Sequence, residues 1–318
     1  MHRLVAALAV FVFLASASAT LAAGPSYVSE GGPGVLARDG KTRYVAVPTG
    51  KGTAIARIRV RGGSVLGWAD DLDGTWGIPA PTYSAAGGEG LSRDGKRLIV
   101  GMAFARFPSR FAVIDTRTMR VVDRFALNGD FAYDALSPDA SMLYLIQRVD
   151  QNNVDRYVVR AYDLRSHTLL PGRIADKTQA GWVMEGSAVT RATSGDGRMV
   201  YTMYMRPGGY PFIHALDSVQ GSAHCIGLPW HGDQAPLANA RLTLADNGRT
   251  LAVRLKDGRT WMTMNTGNWR LTYAPRAGGS SSRWPLAGGG VAAALALAVG
   301  LVALGRRRHP REAAQLPL

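Results

Sequence analysis

Ala135-Leu-Ser-Pro-Asp-Ala-Ser-Met-Leu-Tyr-Leu-Ile-Gln147 sets a turn in front of an unbroken run of strand formers, and the chain writes versions of this phrase five times. The others are VLARDGKTRYVAV from Val35, GLSRDGKRLIVGM from Gly90, RATSGDGRMVYTMY from Arg191 and TLADNGRTLAVRL from Thr243. Pro138 presets φ near about −65° for the first corner of a type I turn. Gly40, Gly95, Gly197 and Gly248 supply the left-handed residue that closes such a turn, whereas Ala140 stands there against its own preference. The runs that follow, such as Leu98-Ile-Val100 and Leu143-Tyr-Leu145, suit inner strands buried on both faces.

A second hairpin follows several copies. Phe111-Ala-Val-Ile-Asp115, Val159-Arg-Ala-Tyr-Asp163 and Phe212-Ile-His-Ala-Leu-Asp217 each end a strand in Asp, and a polar turn then leads into another strand. Each unit therefore offers about four strands, and the turn aspartates Asp39, Asp94, Asp139, Asp196 and Asp246 are 55, 45, 57 and 50 residues apart. Four short strands recurring at about 40 to 60 residues without helical periodicity predict an all-β fold, a β-propeller of four-stranded blades. Five copies predict five blades. The Gly- and Pro-rich stretch from Asp71 to Ser84 leaves room for a sixth, and a strand near Tyr27 to Ser29 is expected to close the ring against the last blade.

Leu136-Ser-Pro-Asp139, followed by a strand and then a Val-x-Asp-x-x-Thr phrase, resembles the YVTN and lactonase-like group of propeller repeats. The resemblance covers roughly Gly34 to Thr272 and implies the blade, with a lactonase-like hydrolase as one activity. Phe131-Ala-Tyr-Asp-Ala-Leu-Ser-Pro138 and His214-Ala-Leu-Asp217 are also similar to phrases in exported, membrane-anchored proteins of high-GC bacteria, which implies no particular chemistry.

The ends suggest an address. Residues 1–23 read as a signal peptide: His2 and Arg3, an apolar run, then small residues with cleavage after Ala19 or Ala22. Residues 24–275 would form the propeller and 276–285 a flexible tether. Residues 286–304 carry no charge and are long enough to cross a bilayer, with basic residues 305–318 beyond them on the cytoplasmic side. The expectation is a single-pass cell-membrane protein with its propeller outside; whether the apolar run is retained or processed stays open. The formal charge of +14, of which about +10 falls on the exported part, favours an anionic envelope component and, after export, excludes nucleic acid. One cysteine, Cys225, excludes an internal disulfide.

His214, Asp217, His224, Cys225, His231 and Asp233 form the densest reactive group, but no metal-ligand spacing joins them, so neither a metal nor a cofactor is expected. The propeller's channel mouth is the better place for a site, because residues just before each inner strand are expected to gather there from different blades. These are Glu89, Tyr133, Asp134, Glu185 and Arg191, with Glu185 in Trp182-Val-Met-Glu-Gly186 the most suggestive. Convergent carboxylates suit acid–base work or a cation. The primary expectation is a binding or scaffolding module, not an enzyme, that takes a protein, an envelope polymer or a small ligand through exposed loop residues such as Trp76, Trp182 or Tyr210. The alternative is a hydrolase working from the channel mouth.

Overall fold

The structure, a computed structural model, describes residues 27–29, 31–82, 88–103, 107–176, 178, 183–206 and 208–273. The expected signal peptide, tether, membrane helix and tail, together with Trp182, lie outside them.

After β1 (Tyr27–Ser29), five sheets follow one another along the chain as the blades of a propeller. Blade 1 is β2 (Val35–Leu36), β3 (Thr42–Pro48), β4 (Gly52–Arg59) and β5 (Val65–Asp73). Blade 2 is β6 (Trp76–Ala80), β7 (Arg97–Met102), β8 (Ser109–Asp115) and β9 (Arg120–Leu127). Blade 3 is β10 (Asp130–Leu136), β11 (Met142–Arg148), β12 (Arg156–Asp163) and β13 (Thr168–Leu169), with β14 (Met184–Glu185) also paired to β12. Blade 4 is β15 (Ser187–Thr193), β16 (Met199–Met205), β17 (Phe212–Asp217) and β18 (Ser222–Gly227). Blade 5 is β19 (Arg241–Ala245), β20 (Thr250–Arg254), β21 (Thr260–Asn265) and β22 (Leu271–Tyr273).

The repeated phrase forms the turn between the first two strands. In each of four blades the turn aspartate accepts the backbone amide two residues on: Lys41, Lys96, Ser141 and Arg198 donate to Asp39, Asp94, Asp139 and Asp196 at 2.8 to 3.1 Å. Ser92, Ser137 and Ser194 bond the same carboxylates. Ala140 sits at φ 54, the left-handed value its glycine counterparts take freely. The second hairpin repeats the device, since Asp115, Asp163, Asp217 and Asn265 accept the amides of Arg117, Arg165, Val219 and Gly267. Four residues after each of these comes a left-handed residue: Met119, His167, Gly221 and Trp269.

Those hairpins lean on the preceding blade. Met119 joins the apolar cluster shared with blade 1, and His167 meets Asp123 of blade 2 at 3.5 Å. Tyr144 of blade 3 donates to the Ser218 carbonyl of blade 4 at 2.9 Å, and Trp269 of blade 5 lies 4.9 Å from His224 of blade 4. Four apolar clusters fill the gaps between successive blades, with Ile55 and Leu98, Ile99 and Leu143, Tyr157 and Tyr204, and Met203 and Leu251 as representatives. No apolar cluster among the described residues joins blade 5 to blade 1.

Two sequence expectations need correction. The strand at Tyr27–Ser29 pairs with β6 of blade 2, Tyr27 against Ala80, and not with the last blade. In the sheet β6 lies between β1 and β7, so β1 takes the edge of β6 that faces away from β7, while Glu89 and Gly90 continue the β7 side by bonding the Pro79 carbonyl and the Ile99 amide. The Asp71–Ser84 stretch is not a hidden blade either. Its described residues, 71–82, are shared between the outer strand of blade 1 and the inner strand of blade 2, and Trp76, expected as an exposed contact, is buried there with its indole N–H on the Asp73 carbonyl at 2.8 Å.

Candidate functional site

Counting back five residues from each turn aspartate lands on one position ahead of the repeat turn in every blade: Gly34, Glu89, Asp134, Arg191 and Arg241. Three of these meet at the centre. The Arg191 guanidinium lies 3.0 Å from Glu89 Oε2 and 2.5 Å from Asp134 Oδ1, donates to the Asp134 backbone carbonyl, and reaches Thr202 Oγ1 at 2.8 Å. One cation thus ties blades 2, 3 and 4 together. The strands are shaped for it. The register of β10 slips between Tyr133 and Ala135, so Asp134 is the extra residue of a bulge that re-aims its carboxylate.

Arg191 and Asp134 keep only 4% and 3% of their side-chain surface, whereas Glu89 keeps 31% and faces a cavity of about 330 Å³. Burial pushes the Glu89 carboxyl up from its ordinary value against the opposing pull of Arg191. Arg191 is held protonated by the two carboxylates in spite of its burial. Tyr133, in the same cavity wall, has its hydroxyl pushed up by burial and by Glu89. The cavity opens among the repeat turns, where Arg38 and Arg93 stand on its wall and Arg38 donates to the Gly195 carbonyl at 3.2 Å.

Glu185 does not belong to this group. It lies on β14, within 3.6 Å of Arg206 and 3.3 Å of the Asn153 amide, at the opposite end of the blades. Its apolar and glycine flanks in Trp182-Val-Met-Glu-Gly186 suggested a channel pocket, but β15 runs between it and the position of Arg191.

The His and Cys group also disperses. Asp217 pairs with Arg198 at 2.6 Å, His231 packs edge-on to Tyr210, and Asp233 caps the Ala235 amide. Cross-strand register instead puts His214 opposite Cys225, with Nδ1 3.5 Å from Sγ. Both shifts run against a nucleophile: burial raises the thiol to about 12 and lowers the imidazole to about 4. A neutral thiol beside a neutral ring is a packing contact. Among the described residues no three His, Cys, Asp or Glu gather as a metal site requires.

The other end of the blades has a different character. Antiparallel blades place their first and third turns at one end and their second turns at the other. On those second turns blades 2, 3 and 4 expose Phe107, Val149 and Tyr210, at 65%, 44% and 57%. Sequence reading singled out Tyr210 alone.

No family model matches the chain, and no curated protein is similar to it. Solved structures that it resembles include Kuenenia stuttgartiensis hydrazine synthase, at 15% identity and a TM-score of 0.45 over 76% of this chain and 70% of that one. Another is a putative TolB from Agrobacterium tumefaciens, at 16% identity and a TM-score of 0.43 over 75% and 78%. A third is the Swd1 β-propeller domain of Myceliophteria thermophila, at 10% identity and a TM-score of 0.43 over 83% and 69%. The blade architecture rests on the strand order and the interblade cores of this chain.

Proposed function

We propose that the protein is a binding or scaffolding propeller, exported and held at the cell membrane by its C-terminal apolar run, that offers its second-turn face to a protein partner. One observation carries the reading: three consecutive blades expose a large apolar side chain, Phe107, Val149 or Tyr210, on equivalent turns. Isolated exposed apolar residues are ordinary, but a set repeated at one end of a propeller is the composition of an interface core. The axial group supports it from the other side, because Asp134 and Arg191 are spent on holding blades together.

Comparative capture tests this. The piece from residue 24 to 275 contains all five sheets and all four interblade cores. As bait, it is expected to retain a partner that the Phe107→Asp/Tyr210→Asp variant loses, with unchanged melting temperature. Identical capture by both forms refutes the reading.

A lactonase-like hydrolase is the second reading, and Glu89 favours it: a carboxyl of raised proton affinity, partly open to a cavity, has the character of a general acid. Lactone turnover that Glu89→Gln abolishes without loss of stability establishes that reading in place of the first.

A further inference from the structure

Blade 1 breaks the pattern of the other four at its outer hairpin. Asp115, Asp163, Asp217 and Asn265 all stand opposite the first residue of the neighbouring strand and cap their turns. In blade 1 that place, opposite Thr42, is Arg59. From it the chain runs Arg59-Val-Arg-Gly-Gly-Ser-Val-Leu-Gly-Trp68. Four of the eleven exposed large apolar side chains among the described residues fall in this one hairpin: Val60, Val65, Leu66 and Trp68, the last 51% exposed.

Cations surround them. The Val60 amide bonds the Lys41 carbonyl at 2.8 Å, and Arg57 reaches the Thr116 carbonyl at 2.9 Å, which brings the turn bearing Arg117 and Arg120 alongside. Lys41, Arg59, Arg61, Arg117 and Arg120 are all exposed, and none forms an ion pair among the described residues. Most of the local acids are occupied, the exception being Asp70, which is exposed two residues beyond Trp68. Asp39 caps backbone amides, Asp115 holds Arg97 at 2.5 Å, and Asp71, beyond Trp68, pairs with Arg124 at 2.7 Å.

We propose that this hairpin docks on an anionic phospholipid surface, with Val60, Val65, Leu66 and Trp68 entering the headgroup layer and the five cations meeting lipid phosphates. Aliphatic side chains and an indole among unpaired basic residues are what an interfacial contact requires, since the apolar groups gain by leaving water while long cationic stems reach the phosphates. A carboxylate at Arg59, as in blades 2, 3 and 4, would oppose that contact. The proposal is independent of the partner face, which lies at the opposite end of the blades.

The test is sedimentation of the 24–275 piece with phosphatidylcholine vesicles, against vesicles in which about a third of the lipid is phosphatidylglycerol. Binding to the anionic vesicles alone, weakened by salt, is the expected result. Arg59→Ala/Arg61→Ala is expected to lower the partition about thirtyfold, since each basic residue near such a surface contributes about fivefold. Brominated lipid is expected to quench the wild-type fluorescence, and Trp68→Phe to keep the binding but lose most of the quenching. Equal binding to both vesicles, no binding, or an unaffected double variant overturns the proposal. So does a dimer, formed without lipid, that Trp68→Ser dissolves, for the hairpin then serves a second copy.

Discussion

Replacing Arg191 by Met removes the one cation between two carboxylates while keeping most of the side-chain volume. Asp134, with 3% of its side chain exposed, loses its charged partner, and Glu89 loses the attraction that opposed its upward shift. Breaking a buried ion pair from one side costs about 3–5 kcal/mol, because the remaining charge stays desolvated. For a domain of this size that corresponds to a fall in melting temperature of roughly 10–15 °C. Urea denaturation at neutral pH reads the loss as a lower midpoint at unchanged slope. Neutralising the whole group, as Glu89→Gln/Asp134→Asn/Arg191→Met, is expected to recover most of it, since an uncharged cluster leaves no ion behind. A loss below about 1 kcal/mol for the single variant, or a triple variant no better than the single one, refutes the clamp.

His214 carries an acid-side prediction. Its folded value of about 4 lies below its ordinary 6.5, so its contribution is complete above pH 6.5 and fades as the pH falls toward 4. The full contribution is about 3 kcal/mol, and His214→Leu is expected to flatten that limb of a stability–pH profile measured by urea denaturation. Glu89 has the opposite sign: its folded value is raised, so the native state holds the proton more tightly and stability declines as the pH rises from about 4.5. Glu89→Gln is expected to remove that decline in the same profile. Gly34→Ala would place a methyl 1.9 Å from the Tyr44 carbonyl oxygen at φ +65, and a loss above about 3 kcal/mol is expected in thermal melts. Ala140→Gly, relieving φ 54 in an open turn, is expected to raise the melting temperature by about a degree or two.

The blades were legible because a turn aspartate, a left-handed residue and a β-branched run are local devices, each readable within a dozen residues. The axial clamp was legible in part. Glu89, Asp134 and Arg191 were singled out as residues just before the inner strands, and their common offset from the turn aspartates marks them as one ring position. Glu185 shows where such reading stops, since a single strand between it and Arg191 carries it to the other end of the blades. The partner of β1 was equally hidden, being the edge of β6 that faces away from β7, which no local phrase marks. Trp76 misled for a related reason: the Gly and Pro around it look like a surface loop, yet they continue an inner strand. The contact between His214 and Cys225 was present as register alone, eleven residues apart across a hairpin.

The left-handed residues of the outer hairpins all reach the same way, toward the blade that precedes them in the chain. A newly made blade therefore finds its neighbour already in place, and never has to wait for one still to come. Met119 finds blade 1, His167 finds blade 2, and Trp269 finds blade 4. A chain that emerges from its N-terminus, as every chain does in synthesis, can thus assemble in the order of its appearance, each sheet templating the next. The same arrangement makes the last blade the one on which nothing else depends, so unravelling from that end leaves the earlier blades seated on one another.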